Sequence, residues 1–166
     1  MLAREVGAEL LLRKKLATIA GYDFAFLDAP PGLGLLAIGA LTAARGALVP
    51  VNPTPLALGG LAGMLQAFDT IRERLNPELE MTGILLTLVD RRTSLAREVE
   101  KDLRSRFGET LLATVIRQTI KLAEAAGHGT SILSYAPAST GAADYRSLAG
   151  ELLARSARTT LLKRAA

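Results

Sequence analysis

The chain has 166 residues, 49% of them hydrophobic and 22% charged, with a formal net charge of +4, which suffices for one domain with its own core. It contains no Cys and no Trp, which excludes disulfides and thiolate metal centres, and its one histidine, His128, stands in a Gly-His-Gly segment without partners for a zinc site. No apolar run nears the roughly 20 residues of a membrane span, and the N-terminus has Arg4 and Glu5 within its first turn and no cleavable apolar core, so no signal peptide is expected and the expected setting is the cytoplasm.

The charge is uneven along the chain. Residues 1–90 carry 7 Lys/Arg against 9 Asp/Glu, a net of −2, and residues 91–166 carry 13 against 7, a net of +6. A basic C-terminal half suits a polyanion such as DNA, an anionic membrane surface, or simply a solvated basic face.

In chain order, Leu2, Val6, Leu10, Leu12, Leu16 and Ile19 predict an amphipathic helix over residues 2–20, which Gly21 ends. Phe24-Ala25-Phe26-Leu27 then runs into Asp28 and the turn Ala29-Pro30-Pro31-Gly32-Leu33-Gly34. The apolar run predicts a buried strand, and the prolines require it to stop at Asp28. A carboxylate at the C-terminal edge of such a strand sits where open α/β sheets bind ligands and where nucleotide hydrolases hold Mg²⁺. The other reading of Asp28 is an ordinary capping carboxylate at a strand-to-helix turn.

Further along, helices are predicted over about 33–44, 57–75 and 95–107, with strands over 47–51, 81–88 and 111–116. On the helix that Ser94 is expected to cap, Leu95, Val99 and Leu103 share one face and Arg97, Lys101 and Arg104 the opposite one. Residues 117–137 read as mostly irregular, and a terminal helix follows over about 141–162. Strands alternating with helices predict an α/β fold, a parallel sheet flanked by helices, in a single domain covering residues 1–166.

The segment Tyr22-Asp23-Phe24-Ala25-Phe26-Leu27-Asp28-Ala29-Pro30-Pro31-Gly32-Leu33-Gly34 resembles the Walker B and switch II pattern of the ParA/Soj partition ATPases, in the ParA–MinD group of P-loop NTPases. Further similarities follow in order: Ala40-Leu41-Thr42-Ala43-Ala44, Val49-Pro50-Val51, Arg74-Leu75-Asn76-Pro77, Gly83-Ile84-Leu85-Leu86-Thr87, Asp90-x-Arg92-Thr93, Leu122-Ala123-Glu124-Ala125 and Gly141-Ala142-x-x-Tyr145. Together they run from about Gly21 to Leu153. The family's phosphate-binding loop, K-G-G-x-G-K-[ST], has no counterpart here, since no Gly in the chain precedes a Lys. The chain therefore resembles the C-terminal portion of a ParA-type protein, and on its own it is expected not to hydrolyse ATP.

The resemblance implies ATP and Mg²⁺ as cofactors of the intact family and leaves open whether this chain alone binds either. It implies Asp28 as the carboxylate acting on Mg²⁺ indirectly, with Gly32 and Gly34 allowing switch II to approach the γ-phosphate. For the base it implicates two strand ends, Thr87 and Asp90 on one, Ile116, Arg117 and Gln118 on the other, which otherwise are simply polar strand ends. It implies nonspecific DNA binding through Arg97, Lys101, Arg104, Lys121 and Arg146 and ATP-dependent homodimerisation, both expected only of the intact protein, together with a ParB-like partner protein and association with the nucleoid. Two alternatives stand beside it. One is a degenerate, non-hydrolysing binding module. The other, less favoured, is a MinD-like positioning ATPase using Arg155, Arg158, Lys163 and Arg164 on a membrane.

Overall fold

The computed structural model describes residues 7–165, and side-chain surroundings for these except residues 56, 57 and 158–165. The elements are α1 (Leu11–Leu16, preceded by a 3₁₀ turn, Ala8–Leu10), α2 (Leu35–Ala43), β1 (Gly46–Val51), α3 (Pro55–Arg74), β2 (Glu80–Val89), α4 (Ser94–Phe107), β3 (Leu111–Arg117), α5 (Ile120–Gly127), α6 (Ile132–Tyr135) and α7 (Thr140–Ala165). The chain divides into two compact units, residues 1–47 with 59–81, and residues 48–58 with 82–166.

In the first unit, Ala47, Phe68, Ile71 and Leu79 form a buried cluster under Ile38, Leu41, Ala44, Leu75 and Met81. Asn76 explains how α2 ends. Its buried side-chain amide donates to the carbonyls of Leu41 (2.9 Å) and Ala44 (2.7 Å), groups that a helix C-terminus otherwise leaves unpaired. Two expectations fail in this unit. The first helix is shorter than predicted, because Gly7 adopts a left-handed φ of 86° and only a 3₁₀ turn precedes Leu11; its residues 2–6 lie outside the described residues. The predicted strand Phe24–Asp28 is not a strand, since no neighbour among the described residues supplies ladder partners, and Phe26 is 84% exposed. An apolar run specifies burial only when something is there to bury it.

The second unit carries most of the parallel sheet, whose strand order is β1-β2-β3 with β2 central. Ile84, Leu85 and Leu86 are all buried, so both faces of β2 are covered, as its continuous apolar run requires. Leu85, Leu112 and Ile116 pack with Leu148 and Leu152 of α7, Leu122 of α5 and Leu48 of β1. A second cluster, Ala125, Ile132 and Ala142, joins α5, α6 and α7. Residues 117–137 are therefore not mostly irregular: Thr119 and Ser131 cap two short helices, α5 and α6, whose few apolar residues close this cluster. On α4 the cap is Thr93, not Ser94, accepting from the Ala96 N–H at 3.3 Å, and the buried face is Ala96, Val99 and Leu103, leaving Leu95 exposed.

Two register shifts interrupt the β2–β3 pairing, where Leu86 faces Val115 and Val89 faces Arg117. Three steps on β2 thus oppose two on β3, and Leu88, within the bulge, takes a φ of 55° and turns an exposed side chain outward.

Candidate nucleotide edge and basic helix face

In the second unit the C-terminal ends of β2 and β3 lie side by side, joined by the Gln118 N–H donating to the Val89 carbonyl at 3.1 Å. This brings Thr87, Asp90, Ile116, Arg117 and Gln118 to one sheet edge, the position at which open parallel sheets receive ligands. Their side chains differ in availability. Ile116 is in the core and serves packing. Asp90 accepts from Arg92 Nε (2.9 Å), Arg92 Nη2 (2.8 Å) and the Arg92 backbone N–H (3.0 Å), and these bonds hold its carboxyl down at about 2. Thr87 is half-buried and Gln118 exposed.

Arg117 is anchored by a residue that sequence reasoning passed over. Asp144 of α7 accepts from Arg117 Nη2 (2.7 Å), from Nε (3.0 Å) and from the Arg117 backbone N–H (3.0 Å). Burial would raise the Asp144 pKa, but these hydrogen bonds outweigh it and lower it. Two turns on, Glu151 accepts the backbone N–H groups of Ala113 (2.9 Å) and Thr114 (2.8 Å) on the free edge of β3, and Arg155 Nη2 at 3.2 Å. Arg155 also donates to the carbonyls of Thr82 (3.2 Å) and Glu109 (2.7 Å). The signal for this ladder was the spacing Asp144, Leu148, Glu151, Arg155 along one helix face.

In the first unit, Asp28 is exposed and Gly32 takes a φ of 94° in the turn that follows. Gly34 is extended and caps α2, its carbonyl accepting from the Ile38 N–H at 3.0 Å. Asp28 has no hydrogen-bond or ion-pair partner among the described residues. No group of three His, Cys, Asp or Glu side chains among the described residues forms a metal cage.

The basic candidates separate into two kinds. Arg97 and Lys101 on α4 are exposed and have no ion-pair or hydrogen-bond partner among the described residues. They line a depression of about 530 Å³ with Glu100, Arg104 and Ser105. Arg104 Nη2 is held by the Leu112 carbonyl (3.3 Å) and Glu100 (3.5 Å). Lys121 pairs with Glu124 at 2.7 Å, and Arg146 donates to the Pro137 carbonyl at 2.8 Å. No helix among the described residues is long and apolar enough to cross a membrane, and the side chains of Arg158, Lys163 and Arg164 lie outside the described residues.

Known proteins match this chain over most of its length. A family model described as an AAA domain matches residues 1–81. The chromosome-partitioning ATPase Soj of Thermus thermophilus is 48% identical over 149 residues, covering 90% of this chain and 59% of that protein. The sporulation initiation inhibitor protein Soj of Bacillus subtilis is 37% identical over 150 residues, covering 90% of this chain and 59% of that protein. Among solved structures, cobyrinic acid a,c-diamide synthase from Mycobacterium smegmatis superposes with a TM-score of 0.75 at 34% identity, over 92% of this chain and 56% of that one. That enzyme has also been solved with ADP and magnesium bound. The chain spans about three-fifths of the length of these Soj relatives.

Proposed function

We propose that this chain, a homologue of the Soj/ParA chromosome-partitioning ATPases, is the part of such an ATPase that presents the base-side edge of the nucleotide site and the face that touches DNA. The reading rests chiefly on one observation. Arg97 and Lys101 stand one turn apart on an exposed helix, with no carboxylate partner of their own among the described residues, in the half of the chain that carries the positive charge. Cations left unpaired at a surface are the ones that exchange counterions for phosphates without first breaking an internal pair. Arg104, Lys121 and Arg146 join as secondary contacts, since each already has an acceptor inside the chain.

ATP with Mg²⁺ is the cofactor of the intact protein, and bound Mg²⁺ would neutralise charge developing on the transferred phosphate. Asp28 would act on that ion through water, and Gly32 and Gly34 would keep the following turn free of side chains where the backbone meets the phosphates. Thr87 and Gln118 would meet the base at the strand edge, with Asp90 and Arg117 holding the edge in shape. Dimerisation through nucleotide, a ParB-like partner and residence on the nucleoid follow from the same reading.

Co-sedimentation separates DNA from membrane. The wild-type chain should pellet with duplex DNA and not with anionic liposomes, and the Arg97→Glu/Lys101→Glu variant should lose the DNA fraction. Unchanged DNA pelleting by that variant refutes the assignment.

A further inference from the structure

The basic face of α4 has a carboxylate in its middle. Glu100 falls between Arg97 and Lys101 in sequence and lines the same depression. Its Oε1 lies 3.5 Å from Arg104 Nη2 and 3.9 Å from Arg91 Nη2, so one carboxylate engages two guanidinium groups at once. The Arg91 and Arg104 side chains are 57% and 42% exposed, whereas that of Glu100 is 21% exposed. Ion pairs this exposed are weak, so a phosphate group can compete for either arginine.

We propose that Glu100 is a built-in restraint on polyanion binding, holding Arg91 and Arg104 back from DNA phosphates while Arg97 and Lys101 remain available. This rests on the DNA-binding reading of α4 and adds to it the residue that sets its strength. Two effects act in the same direction. Each guanidinium must leave Glu100, and Arg104 also the Leu112 carbonyl, before it can reach a phosphate. The carboxylate also sits within the roughly 8 Å Debye length of any phosphate that docks in the depression, and repels it. The face therefore binds DNA weakly enough to release it, and loss of the Glu100 charge frees Arg91 and loosens Arg104, which keeps the Leu112 carbonyl at 3.3 Å.

The test is fluorescence anisotropy of a short duplex of arbitrary sequence, titrated with the full chain across a salt series. Glu100→Gln should bind about three- to tenfold tighter at ~0.15 M salt, and its plot of log affinity against log salt should steepen by about 1 for Arg91 and by less than about 2 in all, because Arg104 keeps the Leu112 carbonyl. Adding Arg91→Ala and Arg104→Ala to Glu100→Gln should return affinity and slope to the wild-type level or below. Glu100→Asp, which keeps the charge but shortens the reach to both guanidiniums, should show a smaller gain of the same sign. If Arg97→Glu/Lys101→Glu abolishes binding while Glu100→Gln matches wild type in affinity and slope, the restraint is refuted and the DNA face stands. If the wild-type chain does not bind the duplex, both are refuted.

Discussion

Arg117 and Asp144 are locked by hydrogen bonds from both Nε and Nη2 of the guanidinium and from the Arg117 backbone N–H, across 27 residues of sequence. The pair fastens the end of β3 to the first turns of α7, beside the strand ends proposed to meet the nucleotide base. Asp144→Ala leaves a guanidinium and a strand N–H without their acceptor. Because Arg117 is 42% exposed and water can replace part of the loss, the expected cost is about 1–3 kcal/mol, below that of a fully buried pair. Chemical denaturation of the variant checks this; a midpoint equal to wild type would contradict it.

Acid should weaken the same helix–strand seam. Burial would raise the pKa of Asp144 and of Glu151, but hydrogen bonds from Arg117 to the first, and from Ala113 and Thr114 to the second, prevail and lower both. A folded-state value below the unfolded one gives stability that is present above the ordinary carboxylate pKa of about 4 and is lost as pH falls through the folded value. Denaturation midpoints should therefore drop as pH falls below ~4.5. The Asp144→Asn/Glu151→Gln double variant should be less stable at pH 7 and show a shallower loss with acid. An equally steep loss in the double variant would place the acid sensitivity elsewhere.

Gly83 has a packing reason to be glycine. A Cβ there would stand 2.9 Å from Leu112 Cδ2, 3.0 Å from Leu112 Cγ and 3.2 Å from the Thr110 carbonyl oxygen. Leu112 is fully buried and cannot swing aside freely. Gly83→Ala should cost about 1–3 kcal/mol, the range of overpacked cores, readable as a lower thermal midpoint. A neutral result would mean that β2 and β3 can slide apart at this point.

The 166-residue chain should not hydrolyse ATP above background. Phosphoryl transfer relies on a lysine and a cradle of backbone amides around the phosphates, and no Gly-Lys step exists in this sequence to supply them. A phosphate-release assay with excess Mg²⁺ reads this directly. Turnover that disappears in Asp28→Ala would contradict it.

How much of this was visible in the sequence depends on where each signal lay. β1, β2, β3 and α3 were legible because local apolar runs and prolines bound them, and their buried residues fall where the runs do. Phe24–Asp28 misled because an apolar run was read as a strand, whereas a strand also needs a neighbour. α5 and α6 were hidden by Gly127-His128-Gly129, which reads as a loop although it only separates two short capped helices. The α4 stripe was legible as a pattern, but which of its cations are spoken for was not, since Arg104 is held by the Leu112 carbonyl eight residues on. Asp144 and Glu151 were out of reach for the same reason on a larger scale: their partners are strand-edge groups 27 to 38 residues away.

The most direct measurement is the salt dependence of duplex binding by the wild-type chain beside Arg97→Glu/Lys101→Glu. If Arg97 and Lys101 touch phosphates, log affinity should fall linearly with log salt with a slope of about −2 per chain, and the charge reversal should abolish binding at ~50 mM salt. Affinity that is flat across the salt series, or that survives the reversal, would contradict a DNA-contacting role for this helix.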